Sequence, residues 1–191
     1  MALFQRTRSL DGRRREIVLL GHPALRERAW EIAPERFGTR FLRDLGRDLI
    51  RTMHEDNGVG LAAPQIAVAL RAFAYYVPGD KEADEVPPRV VFNPVLHFQG
   101  EPTVLGWEGC LSLPNLRGMV ARYPKVHMDA FDVDHTQVSI DAEGFHARVI
   151  QHEFDHLDGI VFVDRMIDMT SLMFEDEWER FAEQHDQPVE G

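Results

Sequence analysis

The sequence predicts a single α+β domain over residues 1–191, with antiparallel or mixed strands packed around a central helix and one further helix towards each end. Three observations predict it. Apolar residues recur at three- and four-residue steps in three well-separated stretches, short runs rich in Val, Phe and Tyr lie between them, and Gly, Pro and Asn punctuate the joins. With 44% hydrophobic and 28% charged residues, the chain has the composition of a protein able to bury a continuous core. Residues 1–16 and 186–191 lack these patterns and are expected to be flexible.

The first helix is expected over Thr39 to Asp56, where Leu42, Leu45, Leu49, Ile50 and Met53 share one face and Asn57-Gly58 offers a stop that tolerates positive φ. Gly58 to Gln65 reads as a loop. Strands follow at Ala72 to Val77 and Val90 to Phe92, and the acidic, proline-bounded segment Pro78 to Pro88 between them reads as exposed. Further strands are expected at Val95 to Phe98, Val126 to Phe131 and Gln137 to Ile140. From Phe145 to Leu157 the spacing is helical again. Ile150, Phe154 and Leu157 form one stripe and Phe145, Val149, His152 and His156 its neighbour, so this helix should be buried in the middle of the fold. A last helix is expected from Ser171 to about Gln184, docking through Phe174, Trp178 and Phe181.

Charge and composition exclude several classes of function. A net charge of −11 opposes a nucleic-acid surface, which needs clustered Lys and Arg. No apolar run approaches the roughly 18 residues that cross a bilayer, and Met1 to Leu20 lacks a secretory apolar core, so a reducing compartment is expected. An organellar transit reading of Arg6, Arg8, Arg13, Arg14 and Arg15 is weakened by Asp11 and Glu16. The one cysteine, Cys110, forms no intrachain disulfide.

The chemistry is concentrated in Gln151-His152-Glu153-Phe154-Asp155-His156. Residues four apart on a helix share a face, so His152 and His156 can offer two imidazole nitrogens to one ion while Glu153 serves as a base. A catalytic ion wants a third protein ligand and an open position. Gly159 fits the longer pattern in which a third histidine follows, but Phe162 stands in that place. A carboxylate from the last helix, Glu175, Glu177 or Glu179, would make a metallopeptidase. The thiolate of Cys110, in the turn Glu108-Gly109-Cys110-Leu111-Ser112-Leu113-Pro114, is the other candidate. A non-catalytic binding protein on the same scaffold is a third reading, opposed by the presence of a base. Gly58-Val59-Gly60-Leu61-Ala62-Ala63 also satisfies a dinucleotide fingerprint, yet it follows a helix where that motif must follow a strand.

Three runs in order, Gly58-Val59-Gly60-Leu61-Ala62-Ala63-Pro64-Gln65, Glu108-Gly109-Cys110-Leu111-Ser112 and Gln151 to His156, resemble the three motifs of peptide deformylases. The likeness extends from about Gly21-His22-Pro23 to Asp164-Arg165-Met166. It implies removal of the N-formyl group from formylmethionyl nascent peptides in the bacterial cytoplasm, with formate released. It also implies one divalent metal on Cys110, His152 and His156. Ferrous iron is expected from the resemblance, whereas the donors alone suggest zinc, with nickel or cobalt as further options.

By the same resemblance Glu153 moves the proton, and the Gln65 amide and the Leu111 N–H stabilise the developing oxyanion. Val59, Gly60 and Gly109 would approach the peptide backbone, where a Cβ on Gly60 would intrude, and Phe145, Arg148 and Val149 would border the methionine pocket. Ala67 stands where the family commonly has glycine, which should stiffen the loop. Some members dock on ribosomal RNA through a basic C-terminal helix. The acidic run Glu175-Asp176-Glu177-Trp178-Glu179-Arg180 opposes that partnership.

Overall fold

A computed structural model of the protein describes residues 12–79 and 85–185. The expected flexible ends therefore fall outside the described residues at 1–11 and 186–191, as does the middle of the acidic insert. Residues 12–16 are described and are pinned down: the Arg13 and Arg15 backbone N–H groups donate to Asp48 Oδ1 at 2.8 Å and Thr52 Oγ1 at 2.9 Å, fixing this segment along the first helix.

In chain order the main elements are α1 (Arg40–Glu55), β1 (Gly60–Ala62), β2 (Ala72–Val77), β3 (Val86–Phe98), β4 (Val104–Cys110) and β5 (Leu113–Arg122). They continue with β6 (Lys125–Phe131), β7 (Gln137–Glu143), α2 (Gly144–Leu157), β8 (Met173–Phe174) and α3 (Glu175–His185). Strands β1-β2-β3-β6-β7 make one antiparallel sheet and β4-β5-β8 a second. The α+β class is as predicted. No helix among the described residues is long and apolar enough to cross a membrane.

The five-stranded sheet lies between two helices, and β2 shows how. Its residues alternate between cores: Ala72 and Ala74 pack with Leu42, Leu45, Leu49 and Met53 of α1, while Phe73 and Tyr75 pack with Val149, Ile150 and Leu157 of α2. Burial on both faces is why the strand reads as a continuous apolar run. Helix α1 starts at Thr39, whose hydroxyl accepts the Leu42 N–H, and ends at Asn57 with φ +57°. Helix α2 ends at Gly159 with φ +73°, and a Cβ there would stand 2.7 Å from the Arg26 backbone, so glycine is required twice over.

The structure corrects several element boundaries. The two strands expected at Val90–Phe92 and Val95–Phe98 are one strand, β3, which also takes in Val86, Pro87 and Pro88 from the segment read as exposed loop. Its prolines are tolerated because its halves are paired on opposite sides: β2 pairs with Val86 to Phe92, and β6 with Phe92 to Phe98, with register shifts near Pro87–Pro88 and at Pro94. Strand β1 lies inside the run read as a loop. The second sheet was not expected at all. Helix α3 begins at Glu175, later than Ser171, because β8 first pairs with Leu116 and Arg117 of β5. Phe174 is exposed and does not dock; Trp178 meets Trp107 edge-on, their ring centroids 6.3 Å apart, and the Phe181 side chain lies outside what is described.

Ala67 has φ +57° and ψ +31°, the left-handed conformation that costs a residue with a Cβ about 1–2 kcal/mol. Glycine relieves that strain and loses some of the gain to its freer unfolded chain. Ala67→Gly should therefore leave stability unchanged or raise it by up to about 1 kcal/mol. Chemical denaturation checks this, and a loss greater than 1 kcal/mol would contradict the strain argument.

Candidate active site

Helix α2 brings three of the predicted residues to one place. His152, Glu153 and His156 are buried or nearly so, and Cys110, at the end of β4, faces the two histidines from the second sheet. One donor atom from each of Cys110, His152 and His156 lies within 4.8 Å of the others, and Cys110 Sγ is 3.3 Å from His156 Nε2. His156 Nδ1 is buried with no hydrogen-bond partner. A thiolate and two imidazoles at this spacing fit a divalent ion and leave room for a further ligand.

The histidines are held from behind. His152 Nδ1 is 2.9 Å from Glu108 Oε2, which fixes the ring and leaves Nε2 to face Cys110. Burial opposes a charge on His152, but hydrogen bonds to Cys110 and Glu108 hold its pKa well above the usual imidazole value. Burial holds His156 well below it. Glu108 is itself buried, yet the guanidinium of Arg122 and the His152 ring keep it well below the usual carboxylate range. Arg122 donates from Nε and Nη2 to Glu108 at 2.8 and 2.9 Å, and from Nη1 to Asp155 at 2.6 Å. Arg165 closes the far side of Asp155 at 2.7 Å.

Glu153 lies beneath β1. A Cβ on Gly60 would stand 2.2 Å from Glu153 Oε1, so glycine is needed here to admit the Glu153 side chain. Glu153 Oε2 is buried without a partner, and burial raises the carboxyl pKa to about 7.

The Gln65 side chain is oriented by Ala62, whose N–H donates to Oε1 at 2.8 Å, so that Nε2 points to Cys110 Sγ at 3.4 Å and Ser112 Oγ at 3.2 Å. The backbone segment before the first turn joins the two loops: Val18 N–H donates to Gln65 O and Leu20 N–H to Ser112 O, both at 2.9 Å. A cavity of about 930 Å³ opens beside these groups, and Val59, Gly60, Gly109, Leu111, Phe145 and Val149 all line it.

Arg148 also borders the cavity but does not present a free charge. Its Nη1 donates to Glu108 Oε1 at 2.8 Å and to Val120 O at 3.1 Å, and its Nη2 to Val104 O at 2.7 Å. It braces α2 against the second sheet while standing at the cavity border where the sequence placed it. His146 is turned away, 3.4 Å from the Tyr75 hydroxyl.

Among the described residues, the carboxylate alternatives do not join the group formed by Cys110, His152 and His156. Glu175 accepts from Arg117 Nε at 2.9 Å, Glu177 from Arg180 at 2.8 Å, and Glu179 is exposed. Phe162, in the place of a third histidine, is buried against the His152 ring. Sequence reasoning missed Glu108, Arg122, Asp155 and Arg117. Two signals were present: Glu108 is part of the cysteine motif, and Arg122 is a charge closing the apolar run Met119-Val120-Ala121.

The family model described as polypeptide deformylase matches residues 14–171. Peptide deformylase 1 of Prochlorococcus marinus (strain MIT 9313) is 41% identical over 169 residues, 86% of this chain and 87% of the relative. Peptide deformylase 2 of Pseudomonas syringae pv. tomato is 39% identical over 165 residues, 85% of this chain and 92% of the relative. Among solved structures, the Met-Ala-Ser-bound class I type b peptide deformylase of Acinetobacter baumannii superposes with a TM-score of 0.75 at 34% identity, covering 81% of this chain and 99% of that one.

Proposed function

The chain belongs to the polypeptide deformylase family, metal-dependent hydrolases that remove the N-formyl group from nascent polypeptides, and on that premise we infer which of its residues do the work. Cys110, His152 and His156 hold the metal. Ferrous iron is the metal expected from the family likeness, and zinc, nickel or cobalt satisfy the same donors. A metal bound there supplies Lewis acidity, which acidifies a water and polarises a carbonyl.

Glu153 takes the proton of the attacking water and delivers it to the departing amine. In the metal-free chain burial raises its carboxyl pKa, the direction that suits a group exchanging a proton at neutral pH. As water adds to the formyl carbon, charge grows on the formyl oxygen, and the C–N bond then breaks to give formate and a free amino terminus. The Gln65 amide, pre-aimed by Ala62, and the Leu111 N–H are the donors for that oxygen. Val59, Gly60 and Gly109 border the path of the peptide backbone, and Phe145 and Val149 offer an apolar wall to methionine. The Acinetobacter relative with Met-Ala-Ser bound supports a methionyl peptide as the occupant of this cavity.

The observation that carries this reading is the meeting of Cys110, His152 and His156 beside the buried, unpartnered Glu153 oxygen. We further infer that the chain acts as one catalytic domain, residues 1–191, on nascent chains in the cytoplasm. The acidic start of α3, with Glu175, Asp176 and Glu177, favours work away from ribosomal RNA. The test is formate release from a formyl-Met-Ala-Ser peptide by anaerobically prepared, metal-loaded protein. Turnover is expected, and its absence at full metal occupancy would overturn the reading.

A further inference from the structure

Four arginines line the cavity among the described residues, and each is matched by a carboxylate. Arg14 pairs with Asp56 at 2.6 Å, Arg15 with Asp48 at 3.2 Å and Arg148 with Glu108 at 2.8 Å. The fourth, Arg117 on β5, is matched from outside the region that the family model covers, by Glu175 at the start of α3. Arg117 Nε donates to Glu175 Oε1 at 2.9 Å, and its guanidinium also lies over the Trp178 ring, 5.4 Å from the centroid.

Arg117 is close to the chemistry. A Cβ on Gly109 would stand 2.8 Å from Arg117 Nη1, so the guanidinium occupies the space above the residue next to Cys110. Both members of the pair line the same cavity as Cys110, His152 and Glu153, and each side chain is 33% exposed.

We propose that Glu175 is a specificity-determining residue: by occupying Arg117 it removes the preference for acidic residues after the methionine that this cation would otherwise impose. A nascent chain carries any residue after its methionine, and an uncompensated arginine beside the metal centre would sort those chains by charge. With Glu175 in place, a peptide carboxylate must displace an existing partner and approach a like charge. Without it, Arg117 is the open cation of the cavity. The proposal rests on the deformylase reading for the identity of the ligand, though its electrostatics are independent of turnover.

The experiment compares binding of the product peptides Met-Ala-Ser, Met-Asp-Ser, Met-Ala-Asp and Met-Lys-Ser, all amidated at the C-terminus, to metal-loaded protein by calorimetry at low salt. Formate release from the formylated forms is measured in parallel. In Glu175→Gln the affinity ratio of the better-placed acidic peptide to Met-Ala-Ser should rise about fivefold over the parent, the upper end for a partly exposed ion pair. It should fall back in 0.5 M salt. Arg117→Glu, with Glu175 retained, should reverse the preference and favour Met-Lys-Ser about fivefold. Mere loosening of α3 would not produce that change of sign. Ratios equal to the parent's in both variants would overturn the proposal. Shifted binding ratios without any formate release would uphold it and count against the deformylase reading instead.

Discussion

Glu153→Gln should release formate from a formyl-methionyl peptide about 10²- to 10⁴-fold more slowly than the parent, with metal content unchanged. The side chains have the same shape, so the amide fits under Gly60 where an added Cβ would already stand 2.2 Å from Oε1. Oε2 has no hydrogen-bond partner to lose. What disappears is the ability to take a proton from water and give it to the amine. Because Glu153 is not among the three proposed metal donors, metal analysis separates a lost base from a lost ion. Slow turnover with full metal supports the assigned role; turnover near that of the parent would remove Glu153 from the proton path.

The same burial has a second consequence, visible in metal-free protein. Glu153 has a pKa of about 7 in the folded chain against an ordinary value of 4.5, so the folded state binds its proton more tightly. That contribution to stability is fully present below about pH 4.5 and is lost as the pH rises through about 7. Glu153→Gln should flatten this part of the stability profile, measured by denaturant titration at a series of pH values.

The elements legible in the sequence are those whose burial is periodic. Helix α1 has one apolar face, β2 is buried on both faces, and α2 has two adjoining stripes, so each was placed to within a residue or two. The second sheet was not legible, because β4 contains Gly106 and Gly109 and β5 contains Pro114, Asn115 and Gly118, residues that read as turns. Those glycines answer to neighbours that only the fold supplies. Gly106 lies against the Arg148 guanidinium, Gly109 against Arg117 and Gly118 against Met166. The three groups that meet were legible because a metal site would demand their types, with the two histidines at a fixed helical spacing. Their supports were not, since Glu108, Arg122 and Asp155 come from β4, β5 and α2 and meet only in three dimensions. For Arg148 helical phase gave the place beside the pocket, while the partners of its guanidinium, Glu108 and the Val104 carbonyl, were not legible.

Glu108→Ala should cost about 3–5 kcal/mol of stability and weaken metal binding about 10- to 100-fold. The side chain is almost wholly enclosed and accepts from three others, Arg122, Arg148 and His152. Removing it leaves the Arg122 charge in the interior with Asp155 as its one remaining carboxylate partner among the described residues, and Asp155 is already shared with Arg165. Breaking one side of a buried pair is costly because the remaining charge cannot recover its hydration. The effect on metal follows a separate route: His152 loses the acceptor at Nδ1 that fixes its ring, while Cys110 and His156 keep their contact at 3.3 Å. Glu108→Gln separates the two effects. Its carbonyl oxygen can still accept from His152, so metal affinity should recover further than stability, which depends on the lost charge. Equal recovery of both would indicate that Glu108 acts on the metal only through packing, and denaturation of the metal-free variants alongside metal competition titrations decides between the two.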